Sequence, residues 1–141
     1  MLSRLLAIAL PFAIILLLAA GSAQACLFAR DAQPKDWDQW AEALFAADVV
    51  GIEENRAKAL DVITLHVVET FKGPRAAASA TLQIPKRMWA GCRLERPAVG
   101  ARVLAALNPN GDALLVPLTM EYRERLRETF RQQSAPAPTS R

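Results

Sequence analysis

The chain has few of the residues from which metal centres and catalytic sites are built. Its 141 residues include one histidine, His66, and two cysteines, Cys26 and Cys92. A structural zinc site needs four ligands, and a catalytic one usually needs three from the protein. The sequence also lacks a glycine-rich phosphate loop and a nucleophile elbow. We therefore expect no intrinsic metal, no cofactor and no enzymatic activity.

Side-chain pairs for acid–base or nucleophilic chemistry are also scarce. Two acid pairs, Asp36 with Asp38 and Glu53 with Glu54, lie close in sequence, but neither spacing puts both carboxylates on one face of a helix or strand. A nucleophilic pair of a cysteine with His66 would require a thiol, which a disulfide removes. Solvated surface charges are the simpler interpretation of these acids.

An excess of charge of one sign is missing too. The chain carries 17 Lys and Arg against 14 Asp and Glu, and one of the basic residues, Arg4, lies in the leader described next. Nucleic-acid binding by a β-barrel surface needs a basic groove with exposed aromatic rings, whereas most aromatic residues here lie in stripes predicted to face the core. We expect no nucleic-acid partner.

No long apolar run occurs after residue 25. The run from Leu5 to Ala20 is about 16 residues long and contains Pro11, whereas a membrane-spanning helix needs about 20 apolar residues. It follows Arg4 and ends in the small-residue stretch 23–25, which is the plan of an export signal. The sequence predicts a cleaved signal peptide over residues 1–25 and a periplasmic or secreted protein.

Cys26, which directly follows this stretch, has three interpretations. It is a lipid anchor, half of a disulfide, or a new amino terminus with chemistry of its own. An even number of cysteines in an oxidising compartment favours a Cys26–Cys92 disulfide. Closing a loop of about 65 residues would stabilise the fold by roughly 4 kcal/mol in the chain-entropy model. Gln24 fits a lipoprotein signal poorly, and the protein would associate with a membrane only if Cys26 were lipidated.

The mature chain has the length of one domain, which we place at residues 26–132, followed by a disordered tail at 133–141. An apolar stripe that includes Trp37, Trp40 and Leu44 predicts a helix from Gln33 to Asp48. This stripe is core packing or, alternatively, a ligand platform. Alternation and turn residues predict five strands, at 49–54, 62–71, 81–84, 102–107 and 113–118.

A second helix is predicted from the cap residue Thr119 to Gln132, with Tyr122, Leu126 and Phe130 on one face. We expect it to cover the sheet, although a basic helix could instead dock on a membrane. Five strands without βαβ alternation favour a small antiparallel barrel or sandwich, with one helix before the strands and one after them.

The segment Lys86–Arg96 surrounds Cys92 with basic residues and a tryptophan. Its functional interpretation is a loop that contacts an acidic or phosphorylated partner through Arg87, Trp89 and Arg93. Its structural interpretation is an exposed barrel loop in which Trp89 packs over the disulfide. The sequence leaves both open.

The order of these features resembles the tissue inhibitors of metalloproteinases and their bacterial relatives, the TIMP-like or netrin-like modules. The resemblance spans Cys26 to Leu118 and rests on short pieces, namely the signal ending before Cys26, the helix leading into residues 47–50, the strand closing at 67–73, and Cys92 followed by Gly100 and the strand at 103–104. It implies a five-stranded OB-type barrel and a bond between the first cysteine and Cys92.

In the animal inhibitors, the α-amine and carbonyl of the first cysteine chelate the zinc of the protease, and the next side chain enters its specificity pocket. Carried over, this assigns the partner contact to Cys26 and Leu27, with Phe28 beside them. Phe28 stands where the inhibitors have a second cysteine, and their other bridges have no counterpart. The resemblance thus implies an exported, non-catalytic interaction module whose partner is another exported protein, in one version a zinc metalloprotease. The alternative is an envelope structural or scaffolding protein, or lipoprotein, without inhibitory activity.

Overall fold

The computed structural model describes residues 32–74 and 77–134 of the chain. The predicted signal peptide, the contact residues Cys26, Leu27 and Phe28, and residues 135–141 of the predicted tail lie outside the described residues. The described chain is mainly β. Its strands are β1 (Ala43–Asn55), β2 (Leu60–Lys72), β3 (Ser79–Pro85), β4 (Arg102–Leu107) and β5 (Ala113–Pro117), and its helices are α1 (Trp37–Trp40), α2 (Arg87–Gly91) and α3 (Met120–Ser134).

The five strands form one antiparallel sheet in the order β3-β2-β1-β4-β5. The number of strands and their antiparallel pairing are as predicted. The sheet is not the closed barrel that was predicted, because no ladder joins the edge strands β3 and β5 in the part of the chain that is described. Some Cα atoms of these two strands approach within 8 Å, so the sheet curls without completing its hydrogen bonds.

The helix predicted from Gln33 to Asp48 is wrong over most of its length. Only Trp37–Trp40 is α-helical, and the chain enters β1 at Ala43. The stripe continued to Leu44 and Phe45 because residues 44–47 are all apolar. All four are buried, and β1 lies at the centre of the sheet with both faces covered. Such a strand has no polar face and therefore no alternation to distinguish it from a buried helix.

The buried side chains form two clusters on opposite faces of the sheet. One lies between the sheet and the helices α1 and α3, and includes Trp37, Leu44 and Leu126. The other fills the concave face and includes Phe45, Ile63 and Trp89, the last of which comes from α2. Because Trp37 and Leu126 are both at most 1% exposed, the tryptophan stripe of α1 is core packing and α3 covers the sheet, as predicted.

Large and small side chains face each other across the central pair β1 and β4. Leu44 is opposite Ala106 and Phe45 is opposite Ala105, while further along the small residue lies on β1, where Ala46 is opposite Leu104. All of these side chains are at most 4% exposed. The pairing keeps the volume at each step of the ladder similar, as close packing requires.

Local signals in the sequence set several of the turns. The ladder between β1 and β2 shifts register between Val49 and Gly51, and a glycine inside a strand is typical of such an irregularity. In the β4–β5 hairpin, the side-chain oxygen of Asn108 accepts the backbone N–H groups of Asn110 and Asp112 at 3.0 and 2.9 Å. Thr119 caps α3, because its hydroxyl accepts the Tyr122 N–H at 3.2 Å. Within the described residues, no helix combines the length and hydropathy needed to cross a membrane.

Candidate functional site

The Lys86–Arg96 segment is a short helix with an ordered exit rather than an open loop. Lys86 donates its backbone N–H to the Ala59 carbonyl at 3.0 Å, which ties the start of α2 to the β1–β2 turn. After the helix, Leu94 donates its N–H to the Trp89 carbonyl at 2.9 Å, and Arg93 adopts a left-handed backbone with φ of 51°. The chain thus reverses tightly around Cys92.

A buried carboxylate holds this segment to the sheet. Asp61 of β2 is fully buried, and its Oδ2 accepts hydrogen bonds from Trp89 Nε1 and Arg96 Nε, each at 2.8 Å. Its Oδ1 accepts a third from Arg96 Nη2 at 2.9 Å. The hydrogen bonds from Arg96, together with the one from Trp89, lower the pKa of Asp61 despite its burial. The carboxylate is therefore ionised in the folded protein at neutral pH.

Asp61 did not emerge from the sequence as a residue of interest. The sequence did contain a signal for it, because alternate residues of β2 face the core and Asp61 lies at the same alternate positions as Ile63 and Leu65. A carboxylate at an inward position must be paired. Sequence alone does not say that Trp89 and Arg96, about 30 residues further along, supply the pairing.

The first described residues are fixed to the same side of the molecule by a hydrogen-bonded tyrosine. The Tyr122 hydroxyl on α3 donates to the Ala32 carbonyl at 2.8 Å and accepts from Trp37 Nε1 at 2.9 Å. Burial raises the pKa of Tyr122, so the hydroxyl keeps its proton and can donate. The two bonds fix the position at which the amino-terminal segment joins the fold.

This start of the described chain and the segment after Cys92 line one cavity of about 440 Å³. Ala32 lies in its wall together with Arg93 and Leu94, and the N-terminal end of α3 completes it with Tyr122 and Arg125. The guanidinium carbon of Arg125 lies 5.1 Å from the centre of the Tyr122 ring, a cation–π distance. The cavity combines an aromatic wall with two cationic side chains.

The predicted contact residues of this segment differ in their surroundings. Arg87 and Arg93 are exposed, whereas Trp89 is 8% exposed and belongs to the core of the concave face. Cys92 is 5% exposed, with its Sγ 3.9 Å from Met88 Sδ. The pairing of Cys92 with Cys26 stays a prediction, because Cys26 is outside the described residues. The partner contact also stays a prediction, and of the predicted contacts in this segment Arg87 and Arg93 are the ones that reach the surface.

Metal ligands do not gather anywhere in residues 32–74 and 77–134. No group of three or more His, Cys, Asp or Glu side chains is close enough there to hold a metal ion. His66 is exposed on β2, opposite Asp48 of β1. Comparison with known proteins adds no assignment, since neither a protein-family model nor a curated protein matches the chain.

Proposed function

We propose that the protein is an exported, non-catalytic module that binds another protein through its amino-terminal segment and the Lys86–Arg96 segment. One observation carries this proposal, namely that Ala32 and Arg93 line the same cavity. Ala32, six residues after Cys26 in the sequence, is therefore a neighbour of the Lys86–Arg96 segment. A contact surface made from both is possible without any rearrangement of the described chain.

The chemistry of the contact follows from the resemblance to the TIMP-like family. Cys26 precedes Ala32 by six residues, so covalent geometry keeps it within about 20 Å of Ala32. After cleavage at Ala25, the α-amine of Cys26 would titrate near pH 8 and could offer a lone pair to a zinc ion held by a protease. Leu27 would enter the specificity pocket, and a bond from Cys26 to Cys92 would reduce the ordering cost of binding.

An OB-type fold is a five-stranded, partly open barrel. The strand count and the approach of β3 and β5 within 8 Å support that description. We propose that the sheet is such a barrel with an unpaired seam between β3 and β5.

Inhibition assays test the proposal directly. The natively exported protein, starting at Cys26, is titrated against a panel of zinc metalloproteases alongside the same protein extended by one alanine before Cys26. We expect inhibition by the first and none by the second, because an extra residue removes the α-amine from the metal. Leu27→Arg should also abolish inhibition. No inhibition of any member, or equal inhibition by the extended form, contradicts the metalloprotease mechanism.

The scaffolding alternative predicts the opposite pattern of sensitivities. In that case Leu27→Arg leaves association with the envelope fraction unchanged, while reversing the charge of the exposed Arg87 and Arg93 disrupts it. Co-sedimentation of wild-type and variant proteins with washed envelopes distinguishes the two hypotheses. Loss of association in Leu27→Arg alone would reject the scaffolding role.

A further inference from the structure

We propose that the protein binds an extended acidic peptide segment of a partner protein in a groove along the outer edge of β5. The groove joins the cavity of about 440 Å³ described above to a second of about 210 Å³, because both have Glu95, Val116 and Pro117 in their walls. We call it the β5 groove. The inference rests on the proposed role as a binding module and names the chemistry of the bound segment.

The smaller cavity of the β5 groove suits a peptide side chain better than a cofactor. Cavities for drug-sized ligands usually measure about 300–1,000 Å³, and the smaller cavity is below that range. Its walls are largely apolar and include Pro97, Val103 and Leu115. A space of this size accepts one side chain at a time. Grooves that bind extended peptides recognise them in this way, through pockets for alternate side chains.

The larger cavity carries unbalanced positive charge. Arg93 and Arg125 lie in its wall with one exposed acid, Glu95. Within the described residues, neither arginine has a carboxylate at ion-pair distance. The surface of this cavity is therefore complementary to acidic side chains, which would pair with the two guanidinium groups.

The smaller cavity offers oriented donors instead of net charge. Arg96 and Arg102 lie in its wall, and each donates Nε and Nη2 to one carboxylate, that of Asp61 or of Asp48, at 2.7–2.9 Å. A guanidinium has five N–H groups, so each arginine keeps three more for a ligand. The carboxylates fix the orientation of these donors, which suits the carbonyl groups of a peptide.

The edge of β5 adds backbone groups to the groove. Leu118 donates its N–H to the Arg102 carbonyl at 3.1 Å, so the alternate residues Leu115 and Pro117 direct their backbone groups away from β4. Among the described residues, no strand pairs with this edge, although some Cα atoms of β3 lie within 8 Å of β5 and limit the space for an added strand there. Pro117 has no N–H, which restricts the ladder to the neighbourhood of Leu115. Side chains would therefore contribute most of the selectivity.

Chemical-shift mapping tests the inference with defined probes. The natively exported protein, labelled with nitrogen-15, is titrated with a capped nonapeptide that alternates glutamate with valine, and with the equivalent lysine–valine and glutamine–valine peptides. We expect only the acidic peptide to shift amides at 93–98 and 113–119, with affinity that falls as salt rises. The double variant Arg93→Glu with Arg125→Glu should weaken binding about tenfold or more.

A matched control reverses two exposed charges outside the groove. Arg56→Glu with Lys58→Glu changes the β1–β2 turn and should leave binding within about twofold of wild type. Should the Arg93 change disturb the left-handed backbone there, Arg125→Glu alone carries the test and is expected to weaken binding several-fold. Equal shifts with the lysine peptide, shifts outside the groove, or equal losses in the control variant overturn the inference.

The outcome is separable from that of the proposed function. Leu27→Arg abolishes inhibition in the proposed mechanism but should not change peptide binding. Inhibition without peptide binding would remove the β5 groove and leave the amino-terminal mechanism intact. Peptide binding without inhibition would support the β5 groove and contradict the amino-terminal mechanism.

Discussion

Asp61 shows at the scale of one residue how a buried charge organises the candidate site. Its three hydrogen bonds connect β2 to α2 through Trp89 and to the start of the β5 groove through Arg96. The Arg96 side chain is 47% exposed while Asp61 is fully buried, so the pair spans the boundary between core and solvent. Asp48 and Arg102 form the same bidentate arrangement with the acid 32% exposed.

Replacing each acid by its amide should reveal this difference in burial. We expect Asp61→Asn to lower the free energy of unfolding by roughly 3 kcal/mol, because breaking a buried pair leaves its partners unsatisfied. Asp48→Asn, the matched control, should cost about 1 kcal/mol or less, as exposed pairs do. Urea unfolding at neutral pH measures both. Equal losses in the two variants would show that burial of Asp61 adds nothing.

The same residue should make stability depend on pH. The hydrogen bonds from Arg96, assisted by that from Trp89, lower the pKa of Asp61 in the folded protein. As pH falls, Asp61 is therefore protonated in the unfolded chain before it is protonated in the folded protein. The contribution is present above the unfolded value of about 4 and is lost as pH falls through the folded value. The stability gap between wild type and Asp61→Asn should therefore be constant at neutral pH and shrink as pH falls below about 5. A gap that does not shrink there contradicts this pairing.

At the scale of elements, α3 is joined to β2 by a shared carboxylate. Glu69 accepts hydrogen bonds from Arg123 Nε at 2.8 Å and from Arg127 Nε and Nη2 at 2.7 and 3.0 Å. Burial acts to raise the pKa of Glu69, but the hydrogen bonds from Arg127 and Arg123 together outweigh it and lower the pKa. The helix also packs on the sheet through the apolar side chains of Leu126 and Phe130, and these hydrogen bonds fix its orientation there.

Removing the charge of Glu69 should loosen α3 without unfolding the sheet. We expect Glu69→Gln to cost about 1–2 kcal/mol and to speed amide hydrogen exchange in α3 more than in β1. Glu124→Gln is the control, because Glu124 is 65% exposed and pairs with Arg127 only on the helix surface. That change should stay within about 0.5 kcal/mol. Uniform acceleration across sheet and helix would contradict a local role.

The turn after β2 is another element-level constraint. Gly73 has φ of +89°, and a Cβ there would lie 2.7 Å from the Glu42 carbonyl oxygen, just before β1. Gly111 has φ of +84° with open space around it. We expect Gly73→Ala to destabilise the fold by more than about 2 kcal/mol and Gly111→Ala by about 1 kcal/mol, the cost of backbone strain alone. Thermal unfolding compares them, and similar losses would indicate that the contact relaxes freely.

The sequence predicted the strands that alternate or that a turn-rich spacer separates, and it failed in the first half of β1, where an apolar run continues the helical stripe. β2 and β3 alternate, and β4 and β5 are separated by a turn-rich spacer, so each was found within two residues of its bounds. The predicted helix covers β1 up to Asp48, since the neighbours of this strand on both faces are set by long-range packing. Arg87 and Arg93 are exposed and stay predicted contacts, whereas the sequence did not single out Asp61, because its partners come from distant positions.

At the scale of the whole molecule, the predicted Cys26–Cys92 bond determines how firmly the amino-terminal segment is held. Thiol titration of the natively exported protein should find no free thiol before denaturation. Replacing both cysteines by serine should lower the free energy of unfolding by roughly 4 kcal/mol, through the entropy of the unfolded chain. Two reactive thiols in native protein would contradict the bond. They would also remove the rigid amine that the inhibitory mechanism requires.

The pairing of bulky with small side chains between β1 and β4 makes neighbouring positions depend on each other's size. Enlarging Ala105 to valine leaves no room beside Phe45, because both positions lie in a filled interior. Shrinking Phe45 to leucine at the same time should recover much of what the first change loses. The amino acids tolerated at position 45 thus depend on the residue at position 105, and the reverse. A scan of single substitutions would therefore underestimate how many core sequences the sheet can accept.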